Sequence, residues 1–288
     1  MKKFILFSIF VLGIIAVFAT ANAQTEDEYI ISADKKYETE DYNGAIADYT
    51  KAIELNPENP YTLTGRGNCH YYLKDYKSAV ADFSKAIEVN PDYIYAFQSR
   101  AEAYRLLKDY ENAVKDYDVI LEINPENPPA YGNRGVSKYY LKQYSESVSD
   151  LTKSIEMDGS KYRFIWFRGK SYYKLGDTLS ALNNLTEAIK VNSNDPEIYY
   201  ERANIYLDMN KFEPAVEDLT SAIAIDSKDD VYFQDRGYAF EGLAKYQEAV
   251  NDYETALSLN PKKHEEKLKP RIELLKQKLL ENNAEEKN

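Results

Sequence analysis

Histidine, cysteine and tryptophan are almost missing from this 288-residue chain, which has two His, one Cys and one Trp. One cysteine cannot form an intramolecular disulfide, and His70, His264 and Cys69 show no metal-ligand spacing, so neither a disulfide framework nor a metal site is expected. The 11 glycines stand singly, which excludes a phosphate-cradling loop. No serine or cysteine sits in a nucleophile elbow or beside a base, so no catalytic residues are expected and the chain reads as a non-enzyme without cofactor. Positive charge is also short: 36 Lys and Arg face 48 Asp and Glu, a net charge of −12. That balance opposes binding to a nucleic-acid backbone, which needs a basic surface.

The N-terminus differs from the rest. Lys2 and Lys3 precede an apolar run from Phe4 to Ala19, and Ala21, Asn22 and Ala23 follow. This reads as a signal peptide over residues 1–23, with cleavage expected after Ala23 and Gln24 as the first mature residue. A retained anchor is the alternative, and membrane association is expected only in that case. Both readings export the following chain, as a periplasmic or secreted protein.

What the chain has in abundance is order at one spacing. Ala45, Ala79, Ala113, Ser147, Ala181, Ala215 and Ala249 recur every 34 residues without insertion or deletion. A small residue precedes each one (Ala33, Gly67, Ala101, Gly135, Gly169, Ala203, Gly237), and in most copies another follows (Ala52, Ala86, Ala188, Ala222, Ala256). In the second copy Leu63, Gly67 and His70 trace one amphipathic helix, and Ala79, Val80, Phe83, Ala86 and Ile87 trace another that ends at Asn90 and Pro91. Each copy is thus a helix hairpin with small residues where its helices approach. Such a unit cannot bury its apolar face alone, so the copies must stack into a solenoid.

These residues resemble the tetratricopeptide repeat (TPR) family, whose run of aromatic, Gly, Tyr, Ala, aromatic, Ala and Pro stands in the last copy as Phe233, Gly237, Phe240, Ala249, Tyr253, Ala256 and Pro261. The resemblance implies an all-α fold, a right-handed TPR superhelix of seven hairpins. Within a domain over 24–263 the repeats are 26–59, 60–93, 94–127, 128–161, 162–195, 196–229 and 230–263. A capping helix is expected over 264–281, on the stripe Leu268, Ile272, Leu275 and Leu279, with Pro270 kinking or beginning it, and a disordered tail over 282–288. Ser147 and Ser154 depart from the pattern, as do Gly159, Ser193 and Ser227 at places held elsewhere by proline. Turns between the central repeats are therefore expected to be less rigid.

Two constellations exceed the repeat pattern. Arg66, Arg100, Arg134, Arg168, Arg202 and Arg236 hold one position in six repeats, and Asp48, Asp82, Asp116, Asp150, Asp218 and Asp252 recur in the second helices, with Asn184 breaking the series. A structural ion-pair ladder is favoured over a grip on ligand carboxylates. Because repeat one has the Asp without the Arg, each Asp is expected to pair forward with the next repeat's Arg. The second constellation lies on the first-helix face that lines the concave side in the TPR family. Tyr37, Tyr61, Tyr71, Tyr72, Tyr95, Tyr139, Tyr140, Trp166, Phe167, Tyr173, Tyr200 and Tyr238 stand there, interleaved with Asn68, Gln98, Asn133, Asn204 and Gln234. Amides can bond both donor and acceptor of an extended backbone, and tyrosines give contact area at low entropy cost.

A candidate peptide groove follows, comprising Asn68, Tyr72, Gln98, Asn133, Tyr139, Tyr140, Trp166, Lys170, Tyr173, Tyr200 and Asn204. Mutual shielding of the aromatics is the competing reading. The two-carboxylate clamp that some TPR proteins use for chaperone tails is not matched: its places hold Thr64, Asn68, Gln98, Pro129 and Asn133, of which only Asn68 fits. Arg163, Lys170 and Lys174 form a local basic cluster. The expected function is an extracytoplasmic scaffold that binds a peptide or partner protein. Presentation of envelope polysaccharide or cell-wall polymer to a partner enzyme, and a plain structural spacer, are the alternatives.

Overall fold

The computed structural model describes residues 24–285. The signal-peptide reading at 1–23 and the last three positions of the expected tail lie outside the described residues.

The described residues form fifteen helices and no strand. They divide into two compact units at Asn127 and Pro128. The first contains the hairpins α1 (Glu26–Glu38) with α2 (Tyr42–Leu55), α3 (Pro60–Tyr72) with α4 (Tyr76–Val89), and α5 (Ile94–Leu106) with α6 (Tyr110–Ile123). The second contains α7 (Pro128–Tyr140) with α8 (Tyr144–Met157), α9 (Tyr162–Lys174) with α10 (Thr178–Val191), α11 (Pro196–Asp208) with α12 (Phe212–Ile225), and α13 (Asp230–Gly242) with α14 (Tyr246–Leu259). The long α15 (Pro261–Glu285) closes it. Within each unit the second helix of one hairpin packs on the first helix of the next.

Each boundary has a local cause. Asp41, Asp75, Asp109 and Asp177 cap second helices by accepting from the backbone N–H three residues on. The corner before them needs a left-handed residue, supplied by Glu40, Lys74, Lys108, Lys142, Asn210 and Ala244, and by glycine only at Gly176. There the N–H of Asp75 returns to the His70 carbonyl at 2.9 Å, satisfying a helix-end acceptor. Second helices end at Asn56, Asn90, Asn124, Asp158, Asn192 and Asp226, whose side-chain oxygens each accept from the N–H two residues later, at 2.9 to 3.2 Å. This turn forms with Pro57, Pro91 and Pro125 and equally with Gly159, Ser193 and Ser227, because the Asx side chain makes it.

The core runs along the hairpin seams. Ala45, Ala79, Ala113, Ala181, Ala215 and Ala249 are fully buried, as is Ser147. A Cβ on Gly67 would stand 2.6 Å from the Phe83 ring, and one on Gly135 2.7 Å from Leu151 Cγ, so only glycine permits these approaches. The serines of repeat four keep their hydroxyls satisfied: Ser147 bonds Ser171 at 2.9 Å, and Ser154 donates to the Pro128 carbonyl at 2.7 Å.

The last helix runs through Pro270 unbroken and extends further at both ends than the expected 264–281. It begins at Pro261 because proline suits a first helical turn. Leu268, Ile272 and Leu275 bury against Ala249, Val250, Tyr253 and Ala256, contributing roughly 1.5 to 3 kcal/mol each. This offsets the bond lost at Pro270, which lies on the exposed side.

Candidate peptide-binding surfaces on the first-helix faces

In the N-terminal unit two hollows adjoin on the first-helix face. One, of about 270 Å³, is lined by Asp34, Tyr37, Glu38, Tyr49, Tyr61, Thr64, Gly65, Tyr93 and Tyr95. Asp34 accepts from the hydroxyls of Tyr49 and, at 2.9 Å, Tyr61. Burial and this carboxylate push the Tyr61 phenol up to about 12. The other hollow, of about 220 Å³, is lined by Tyr37, Asn68, Tyr71, Tyr72, Phe83, Tyr95, Gln98, Ser99 and Glu102. Asn68 donates to the Tyr95 hydroxyl at 3.1 Å. The Tyr72 ring stacks on Tyr42 at 5.2 Å and stays half exposed.

In the C-terminal unit a hollow of about 250 Å³ brings Tyr139, Lys170, Tyr173, Lys174, Leu185, Glu201, Asn204 and Ile205 together. Lys170 is ion-paired with Glu201, and its ammonium lies 5.0 Å from the Trp166 ring centre. The Tyr173 hydroxyl donates to Asp208, which pushes that phenol up to about 12; burial and then the Asp235 charge do the same for Tyr200, whose hydroxyl donates to Asp235 at 3.1 Å. A larger hollow of about 480 Å³ is bounded by Asn204, Leu207, Asp208, Gln234, Asp235, Tyr238 and Tyr253, and by Lys267, Leu268 and Arg271 of α15.

Below these faces runs the arginine series. Arg66, Arg100, Arg134, Arg202 and Arg236 each grip the Asp of their own hairpin through two parallel bonds of 2.6 to 2.9 Å. The expected forward pairing is corrected: Asp82 binds Arg66, because the Arg and Asp lie at the same level of one antiparallel hairpin. What crosses between repeats is the remaining guanidinium nitrogen. It reaches back to Thr50, Ser84, Thr186 and Thr220 from Arg66, Arg100, Arg202 and Arg236, at 2.9 to 3.2 Å. In repeat one, Ser32 and Lys36 serve Asp48 instead, at 2.6 and 2.5 Å. In repeat five, Arg168 bonds the Asn184 amide oxygen at 2.6 Å. The hydrogen bonds that Arg66 and Arg202 donate to Asp82 and Asp218 raise these guanidiniums above their ordinary range.

Family models for the tetratricopeptide repeat match residues 60–93, 94–127, 196–229 and 232–263, and a TPR-repeat model matches 33–73 and 169–210. The chain belongs to the tetratricopeptide repeat family. Among solved structures, a TPR protein from Parabacteroides merdae is 22% identical, with a TM-score of 0.66 over 88% of this chain and 98% of that one. A C-terminal part of a TPR protein from Cytophaga hutchinsonii is 17% identical, with a TM-score of 0.65 over 80% and 95%. YrrB, described as a TPR protein with an unusual peptide-binding site, is 20% identical, with a TM-score of 0.53 over 62% and 93%. No curated protein matches the sequence.

Placed on this TPR fold, the groove residues separate. Asn68, Tyr72 and Gln98 meet in the N-terminal unit, and Tyr139, Lys170, Tyr173 and Asn204 meet in the C-terminal unit. Tyr140 stands exposed beside Tyr139, with ring centres 5.5 Å apart. Asn133 and Tyr200 are half-buried, and the Tyr200 hydroxyl is already bonded to Asp235. Phe167 is a correction: it is buried, wedged between Tyr139 and Trp166. Trp166 is half-buried with its indole nitrogen enclosed and unbonded. Lys170 is not a free cation, since Glu201 holds it. Lys267 and Arg271 lie outside the groove expected from the sequence, which gives their helix only a capping role, although the edge of that helix walls the hollow of about 480 Å³. Among the described residues no His, Cys, Asp and Glu cluster can hold a metal ion, and no helix is long and apolar enough to cross a membrane.

Proposed function

We propose that this TPR protein is an exported, non-catalytic scaffold that binds a peptide or an extended segment of a partner protein along its first-helix faces. The observation that carries the reading is the same in both units. Side chains from successive first helices converge on hollows that mix tyrosine rings with Asn or Gln amides, one of about 220 Å³ in the N-terminal unit and two of about 250 and 480 Å³ in the C-terminal unit. This is the chemistry of adaptable backbone recognition, in which rigid aromatic rings give area and amides give direction. The described peptide-binding site of YrrB supports the class of ligand. The export half of the proposal rests on the charged and apolar leader. Stacking of sugar rings on Trp166 finds less support, because Lys170 and Phe167 already occupy its surroundings.

The test is capture from the native envelope fraction by mature protein immobilised through its C-terminus. Tyr72→Ala with Gln98→Ala in one unit, or Tyr238→Ala in the other, should weaken retention of the main partner about tenfold. Lys190→Ala on an exposed second-helix position should leave it unchanged. Equal retention by all forms would sink the reading. N-terminal sequencing of the exported protein should begin at Gln24, and an intact Met1 would instead identify an anchor.

A further inference from the structure

The two units do not offer the same electrostatics. The Asp34 hollow has five tyrosine rings and two carboxylates in its wall and no Lys, Arg or His. The hollow adjoining it, which shares Tyr37 and Tyr95, adds Glu102, already ion-paired with Arg105. Tyr49 and Tyr61 both donate their hydroxyl protons to Asp34, which fixes the carboxylate in place at the wall of the hollow. Tyr61 and Tyr95 are each about half exposed, at 49% and 50%, so their rings are available to a ligand. Gly65 contributes no side chain, and the Tyr49 ring lies so close that a Cβ there would stand 2.6 Å from it.

Each class of ligand side chain meets this wall differently. An anion would face Asp34 and Glu38 with no compensating cation. An apolar group would strip water from both carboxylates and return nothing. A cation meets electron-rich ring faces and fixed negative charge together, the combination that aromatic cages use. We propose that the N-terminal unit takes an Arg or Lys side chain of an extended peptide between Tyr61, Tyr95, Asp34 and Glu38, while Asn68 and Gln98 next to it bond the peptide backbone. This rests on the peptide-scaffold reading and adds the chemistry of the ligand.

The test uses amidated, fluorescein-labelled nonapeptides GSAXAXASG, with X as Arg, Lys, Gln or Glu, against the mature protein in fluorescence anisotropy. The Arg and Lys peptides should bind at least ~10-fold more tightly than the Gln peptide and weaken with salt, and the Glu peptide should bind least. Asp34→Asn with Glu38→Gln should erase that preference. The exposed Glu38→Gln alone should reduce it, and this second form covers the case that the double variant loses its helical circular dichroism. No cation preference, a preference that survives both substitutions, or no binding up to ~1 mM would overturn the proposal. Displacement by free arginine amide at the peptide's own Kd would also overturn it, since the site would then take a small cation rather than a peptide. If partner capture depends on Tyr72 and Gln98 while these peptides show no charge preference, the scaffold reading stands and the cation assignment alone fails.

Discussion

The N-terminal and C-terminal units are built on one 34-residue hairpin, yet their first-helix faces have different chemistry. At one repeat position the N-terminal unit carries Asp34, Asn68 and Glu102, where the C-terminal unit carries Val136, Lys170, Asn204 and Tyr238. At another it has Tyr61 and Tyr95 against Pro129, Arg163, Glu197 and Val231. Both C-terminal hollows contain lysine, whereas neither N-terminal hollow contains a basic residue. Seam positions, by contrast, barely change between units, because an Ala or Gly pressed against a ring or a leucine has no room to vary. Packing therefore fixes one set of positions, and ligand chemistry is written on the set that packing leaves open.

The sharpest way to break the comparison lies in the arginine series. Arg100→Ala strands Asp116, which is only 3% exposed, and should cost about 3 to 5 kcal/mol in urea unfolding. Arg168→Ala leaves a neutral amide, Asn184, and should cost about 1 to 2 kcal/mol. Equal losses would show that charge is not what the buried pair contributes.

Glycine replacement should come next. Gly135→Leu drives into Leu151 and toward its backbone nitrogen, 3.2 Å from the added Cβ, and should cost on the order of 3 kcal/mol. Gly169→Ala meets Asn184 Cβ at 3.1 Å and should cost less, about 1 kcal/mol. An unchanged midpoint for Gly135→Leu would mean that the seam is not tightly packed.

Smaller effects should come from the hairpin corners. Lys108→Gly in the N-terminal unit relieves a left-handed backbone of φ 61° and should stabilise by roughly 0.5 to 1 kcal/mol. Gly176→Ala, at φ 85° with nothing within 4 Å of the new Cβ, should destabilise by a similar amount. Loss of stability at Lys108 would show that its side chain matters more than its backbone.

The smallest effect concerns acid. Asp230 accepts from Lys263 at 2.7 Å and from buried His264 at 2.5 Å; these bonds outweigh its burial and hold its carboxyl at about 2. A depressed carboxyl stabilises the fold above its ordinary value of 3.8 and loses that contribution as pH falls toward 2. The protection factors of α15 amides, corrected for the intrinsic pH dependence of exchange, should therefore fall in that window, and Asp230→Asn should remove that fall. A pH-independent α15 would place the anchoring of the last helix elsewhere.

The fold was legible because Ala45 and its counterparts repeat without slippage, and a period that strict permits one kind of stacking. The partner of each arginine was not, since at a fixed period an Asp lies nearly as far behind Arg66 as ahead of it, and only the antiparallel level decides. Phe167 and Trp166 occupy neighbouring places on a first helix, and sequence spacing alone cannot tell that one is wedged between rings. Lys108 and Ala244 give no sign that they take a left-handed conformation, because Lys and Ala are ordinary helix formers. Lys267 and Arg271 enter a hollow only through the docking of α15, which no repeat period describes.

Each arginine is tied to a partner sixteen residues ahead and, where a hydroxyl is present, to another sixteen residues behind. Inserting or deleting a few residues on either side of an arginine would sever the tie on that side, whereas adding one complete copy would supply an arginine, its aspartate and the hydroxyl for its successor. Viable lengths for this chain are therefore quantised. A version with an extra copy of residues 60–93 placed after Asp92 and Tyr93 should dock it as a native neighbour does, while half a copy has no register in which to settle.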